Sequence, residues 1–193
     1  MHIAPLIEYF NSFLTLAEDE IIELEKRIKV RSVKRRQFLL STGEVCRHYH
    51  FIVEGCFKTY KVDDKAKEHN LHFATENQWI TDIGSFHAEQ PSQLYIEAIE
   101  PAIVLQLSKQ DLIYFYEQSI KFNRIFRVIV EEEFVLLQNR LLQTISTTAE
   151  QRYLEFIALY PNLFNRISNV QIASYLGITP EFLSNIRKKL SQS

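Results

Sequence analysis

Glycine and proline are scarce in this chain, at four and five of 193 residues, which leaves no room for low-complexity linkers. Cys46 and Cys56 are the only cysteines. Two thiols are too few for a disulfide framework and too few to ligate an iron–sulfur cluster. No stretch approaches the ~20 consecutive apolar residues that cross a bilayer. The opening "MHIAPLIEYFNSF" lacks the basic region and small-residue cleavage site of a signal peptide, so a cytoplasmic protein with no membrane partner is expected. There is also no nucleophile elbow and no phosphate-cradling glycine loop, and no catalytic residue is assigned. No Arg or Lys occurs between Lys67 and Lys109.

What is present is apolar and aromatic. Hydrophobic residues make up 46%, with fourteen Phe and nine Tyr, enough for one substantial core and a small appended domain. The net charge of −2 hides an asymmetry: residues 146–193 carry +2 and the remainder −4. The C-terminal part is the better anion binder on that count.

Three textures follow along the chain. Up to about residue 29 the apolar spacing of Leu6, Ile7, Phe10 and Phe13–Leu14 is helical, and Thr15 with Glu18 has the T-x-x-E spacing that opens a second helix. From Val30 to Leu107, short runs rich in Val, Ile, Phe and Tyr alternate with turns, as in "YHFIV", "CFKTYKV" and "AIVLQL". They predict an antiparallel jelly roll. Beyond it, about Ile120 to Ile145 runs without Gly or Pro. Phe126, Val130, Phe134, Leu137, Leu141 and Ile145 make one stripe; Ile125, Val128, Val135 and Leu142 make a second, heptad-like seam. Two seams fit a helix shared between its own roll and a second subunit, against the alternative of one wide core face. Thr147 and Glu150 repeat the capping spacing and mark a domain boundary, giving 1–146 and 147–193.

The segment "IASYLGITPEFLSNIRKK" has helix-turn-helix chemistry. Ala173 permits close helix approach, Gly177 tolerates positive φ at the turn, and Thr179-Pro180 is an N-cap with proline at the first helical position. Ile172, Leu176, Ile178, Leu183 and Ile186 fall where a shared core is needed. Glu181, Ser184, Asn185 and Lys188 share the opposite face of the second helix, with Arg187, Lys188 and Lys189 as phosphate clamps and Thr179 as a neutral contact. Glu181 suits a cytosine amino group and Asn185 an adenine. The alternative is a helical hairpin that only packs.

Those motifs, with "RYLEFIALYPNLFNRISNVQIASYLGITPEFLSNIRKK" at one end and "GEVCRHYHFIVEGCFKTYKV" and "KEHNLHFATENQWITDIGSF" before it, resemble a divergent subgroup of the Crp/Fnr superfamily of bacterial transcription regulators. The resemblance implies an α+β fold: an N-terminal antiparallel β-roll of the cyclic nucleotide-binding type, a long dimerisation helix and a C-terminal helix-turn-helix. It implies a homodimer reading double-stranded DNA at a near-palindromic site, with RNA polymerase as a further partner. Members that read DNA often carry Arg at the positions of Pro180 and Asn185, so the target site differs here. Where nucleotide-binding members hold the cyclic phosphate with an Arg pair, this chain has Ser92-Gln93, and Asp82 lies near the Gly-Glu position. Cyclic AMP is therefore not expected as effector, and no cofactor is. Trp79, Asp82, Ser85, Phe86, Gln93 and Tyr95 are candidates for a different small-molecule pocket, the alternative being core aromatics and roll surface.

Two other readings stand beside this one. Gly43, His48, His50 and Glu54 approximate the first motif of a cupin-type metal enzyme, with His69 or His72 as a third ligand, although the second motif is missing and no metal site is assigned. A degenerate regulator acting only through protein partners is the other. The seven basic residues of "KRIKVRSVKRR", Lys26 to Arg36, read as a solvated helix end and edge strand.

Overall fold

A computed structural model describes residues 2–192. Two helices open the chain, α1 (Ala4–Asn11) and α2 (Glu18–Arg27). Leu6 and Phe10 lie four apart on one face of α1, and both are fully buried. The start of α2 departs from expectation. Ala17, not Thr15, is its N-cap, and Glu20 reaches back so that its Oε2 accepts from the Ala17 N–H at 2.8 Å. Only this half of a capping box forms, because alanine has no side-chain oxygen to return.

Eight strands follow: β1 (Lys29–Val33), β2 (Phe38–Leu40), β3 (His48–Glu54), β4 (Phe57–Val62), β5 (Glu68–Ala74), β6 (Trp79–Ile80), β7 (Tyr95–Ala98) and β8 (Ala102–Ser108). They form two four-stranded sheets, ordered β1-β8-β3-β6 and β2-β7-β4-β5. The pairs β1–β8, β2–β7, β3–β6 and β3–β8 are antiparallel, as the roll predicted. Between β6 and β7 a short helix, α3 (Ile83–Ala88), is capped by Asp82, whose Oδ1 accepts from the Ser85 N–H at 3.1 Å. Neither β6 nor α3 is long enough to show a periodicity in the sequence.

The roll's core is aromatic. The Trp79 ring lies 6.1 Å from Phe10, 5.3 Å from Phe51 and 5.6 Å from Phe126, between centroids. At Gly55, between β3 and β4, φ is +104° and an added Cβ would come within 2.4 Å of the Ala102 Cβ. Gly55→Ala should therefore cost about 2–3 kcal/mol from backbone strain and overpacking, measurable as a lowered urea midpoint. An unchanged midpoint would mean that this turn relaxes freely.

The basic run from Lys26 is only partly a solvated edge. Arg27 lies 3.4 Å over the Tyr114 ring and pairs with Asp111 at 3.1 Å, while Arg31 Nη2 donates to the Phe38 carbonyl.

After α4 (Lys109–Gln118) comes α5 (Ile120–Ser146), 27 residues without interruption, as its composition predicts. Its two apolar stripes separate along the helix rather than around it. Phe122, Ile125, Phe126 and Ile129 are buried in the roll core. Beyond them Phe134, Leu137, Leu141 and Ile145 are 58–72% exposed. A single core face along the whole helix is thus excluded for the isolated chain.

The next helix opens one residue later than the T-x-x-E spacing implied. Thr147 Oγ1 donates to the Gln143 carbonyl and stays with the last turn of α5. Thr148 instead caps α6 (Ala149–Leu159), and Gln151 returns the bond to the Thr148 N–H at 3.0 Å. Two helices end the fold, α7 (Asn169–Leu176) and α8 (Pro180–Leu190).

The chain forms two compact units. The first comprises the residues up to Thr59 with Phe73–Glu131, and the second Tyr60–His72 with the chain from Glu132 onward.

Candidate functional site

Within the second unit α7 and α8 pack through a tight turn. Ser168 caps α7, and Gly177 ends it with φ at 69°, the left-handed turn expected of it. Ile178 N–H then donates to the Ala173 carbonyl at 3.0 Å. Thr179 caps α8 by accepting from the Phe182 N–H at 3.2 Å, with Pro180 at its first position. Ile172, Ala173, Leu176, Leu183 and Ile186 are buried; Ile178 is half-buried. Each residue thought to shape the motif occupies the place its chemistry required.

The exposed face of α8 carries Glu181, Ser184, Asn185 and Lys188 together, with Thr179 exposed at its start. Glu181 and Asn185 have no side-chain hydrogen bond among the described residues, so their polar atoms are free to meet a ligand. Ser184 is less free, its Oγ donating to the Pro180 carbonyl at 2.9 Å. The three basic residues diverge. Arg187 donates to Asn169 Oδ1 at 2.6 Å and lies 4.4 Å over the Phe164 ring, so it braces the domain. Lys189 pairs with Glu150 at 2.7 Å. The Lys188 ammonium has no partner among the described residues and remains the readiest phosphate contact of the three.

Two residues of this unit escaped the sequence reading. Phe182 is half-exposed beside Glu181 on α8. Its signal was present: an aromatic side chain at a helix position with no core neighbour due. Arg140 had none, because its partners are remote in the chain. Its Nη2 donates to the carbonyls of Asn70 (2.9 Å) and Tyr175 (3.1 Å), and the guanidinium lies 3.9 Å over the Tyr175 ring. Ser174 Oγ donates to the Glu68 carbonyl and accepts from the Asn70 N–H, tying the start of β5 to α7.

In the first unit the candidate effector residues do not converge. Trp79 and Phe86 are buried among core aromatics, and Tyr95 lies against Phe38 at 5.7 Å, whereas Gln93 is exposed. Asp82, Ser85 and Ser92 do meet, but satisfy one another and nearby backbone. Ser92 Oγ donates to Asp82 Oδ2 at 2.6 Å, and Ser85 Oγ donates to the Gln90 carbonyl and accepts from the Cys46 N–H.

The cupin arrangement is not assembled. His48 and His50 share a face, with ring centroids 5.9 Å apart. A bulge between Ile52 and Glu54 then breaks the strand's alternation, and Glu54 ends exposed. His69 is paired with Asp63 at 2.8 Å, and His72 belongs with it to the second unit. Among the described residues no group of three or more His, Cys, Asp or Glu could hold a metal ion, and no helix is long and apolar enough to cross a membrane.

Comparison with known proteins places this geometry. A model of the cyclic nucleotide-binding domain family matches residues 30–119. No curated relative matches the sequence. Among solved structures, FixK2 from Bradyrhizobium japonicum has a TM-score of 0.73 at 17% identity, covering 86% of this chain and 85% of that one. The c-di-GMP responsive global regulator CLP of Xanthomonas campestris has 0.70 at 13%, covering 89% and 90%. A protein from Eubacterium rectale assigned to the transcriptional regulators of the Crp/Fnr family has 0.72 at 15%, covering 95% and 88%. The last two of these are described as regulators. Residues 30–119 thus form a cyclic nucleotide-binding-type domain, carried in a chain whose fold is that of the Crp/Fnr superfamily of transcription regulators.

Proposed function

We propose that this chain is a homodimeric, non-enzymatic transcription regulator that reads DNA through α8. The observation that carries the reading is the clean division of that helix. Leu183 and Ile186 are buried, while Glu181, Ser184, Asn185 and Lys188 stand exposed on one side of a correctly capped turn. Every amphipathic surface helix exposes polar side chains, but here they follow a tight turn of helix-turn-helix geometry and include the unpaired Glu181, Asn185 and Lys188. Residues 147–193 are the reading domain, and the part of α5 from Phe134 to Ile145 is the seam between copies. Asn185 pairs with an adenine edge, Glu181 accepts from a cytosine amino group, and Phe182 packs on a thymine methyl. With Arg187 and Lys189 engaged inside the domain, few phosphates are neutralised, so binding falls only shallowly with salt.

The roll does not take cyclic AMP in this reading. At the place where a cyclic phosphate would need a cation stands Ser92, bound to the Asp82 carboxylate, whose charge opposes a phosphate.

Selection of bound fragments from random duplex DNA tests the reading. An enriched near-palindromic site is expected. Asn185→Ala should relax one base position of each half-site at a cost of about 1–3 kcal/mol. Lys188→Ala should weaken all sequences alike and flatten the salt slope by about one unit per site. No enriched site, or two variants that bind like the parent, would end the claim that α8 reads sequence.

A further inference from the structure

We propose that the groove between β2 and β3 of the roll binds a small amphipathic carboxylate. It has a volume of about 420 Å³, within the roughly 300–1,000 Å³ usual for small-molecule sites. Leu39, Leu40 and Val45 supply an apolar wall, and Arg47, His48 and His50 a polar end. Glu44 also borders the groove, but its Oε2 accepts from the Ser41 N–H at 2.8 Å and is engaged in its own loop.

The polar end is set up for an anion. The exposed Arg47 guanidinium makes no hydrogen bond among the described residues, although its charge reaches the Glu89 carboxylate, and its planar fork matches a carboxylate. Arg31 and Lys29 of β1 add positive potential. Burial first, and then Arg31, Lys29 and Arg47, hold His48 below the usual imidazole range against the weaker pull of Asp111. His50 is only 3% exposed, and burial, then His48 and Arg31, push it down to about 3 against the opposing Ile80 backbone. Both rings are thus biased toward the neutral form beside these basic side chains. Gln106 Nε2 lies 3.0 Å from His50 Nε2, and the Ile80 backbone meets the same ring, so this imidazole is held in place at the end of the groove.

The apolar wall beside this cationic end selects an organic acid over a bare inorganic anion. The groove uses other residues than the Asp82–Ser92 stretch, and its occupancy does not depend on whether α8 reads DNA.

The test is a titration of the isotope-labelled full chain, followed by the ring resonances of His48 and His50. Sodium hexanoate and sodium benzoate are the probes, with 1-hexanol and inorganic phosphate as controls. Saturable shifts are expected with at least one carboxylate and with neither control. Arg47→Gln, at an exposed position that leaves the backbone amide spectrum native, should weaken that binding about tenfold. The proposal is overturned if neither carboxylate gives a saturable response, if hexanol or phosphate binds as well, or if Arg47→Gln has no effect.

Discussion

The double variant Phe134→Asp, Leu141→Asp should be a folded monomer. The two side chains are a heptad apart on α5 and are 66% and 63% exposed in the single chain, so the protomer does not need them for its own core. Across a two-fold seam each occurs twice. Burying a large apolar side chain is worth about 1.5–3 kcal/mol, so four losses remove on the order of 6–12 kcal/mol of association energy, before charge repulsion is added. That weakens dimerisation by a factor on the order of ten thousand or more. Sedimentation equilibrium at micromolar protein should then report one chain's mass, with the far-ultraviolet spectrum unchanged. DNA affinity should fall by about 10²–10⁴, because the second half-site no longer benefits from being tethered to the first. A variant that still sediments as a dimer would place the seam elsewhere. A parent that is itself monomeric would remove the homodimer from the reading.

Glu97→Gln should be among the most destabilising single changes in the roll. Lys58 on β4 and Glu97 on β7 form an ion pair at 3.2 Å with side chains only 7% and 13% exposed. Their strands are neighbours in one sheet. Neutralising one member of a desolvated pair costs about 3–5 kcal/mol, because the remaining charge loses this attraction without regaining water. For a chain of this size that is a fall in Tm of roughly 6–20 °C. Replacing the whole pair by apolar side chains of similar length, in the double variant Lys58→Met, Glu97→Leu, should come within about 1 kcal/mol of the parent or exceed it. Calorimetry on the parent and the two variants checks the pattern. If Glu97→Gln melts with the parent, water reaches this pair in solution.

The Lys58–Glu97 pair illustrates what was invisible beforehand. "CFKTYKV" reads as an alternating strand in which a lysine should face solvent, yet Phe57, Lys58, Thr59 and Tyr60 are all buried. Burial on both faces depends on what covers each face, and periodicity along one strand carries no such information. The effector candidates failed to converge for a related reason. They share the stretch that corresponds to the family's nucleotide-binding segment, whereas Trp79 belongs to the aromatic core and Ser92 pairs with Asp82, in line with the alternative of core aromatics and roll surface. In the sequence, the groove residues His48 and His50 stand out only through a loose cupin-like spacing with Glu54. That arrangement assumed a regular strand, and a single bulge moved the carboxylate away.

The helix-turn-helix was legible because all its determinants are local. Gly177 sets a backbone angle, Thr179 and Pro180 act within one turn, and Leu183 and Ile186 follow a period that the helix alone defines. The caps near Thr15 and Thr147 were misplaced by one or two residues, since neighbouring positions compete for the same backbone groups. Sequence alone thus determined the order of helical, β and helical regions, the unbroken length of α5 and the shape of the α7–α8 turn, all products of interactions within a few residues. Tertiary structure decided which part of α5 is covered, which of Arg187, Lys188 and Lys189 is left free, and which polar side chains surround the groove. Those outcomes turn on partners many residues away, and only folding brings them within hydrogen-bonding distance.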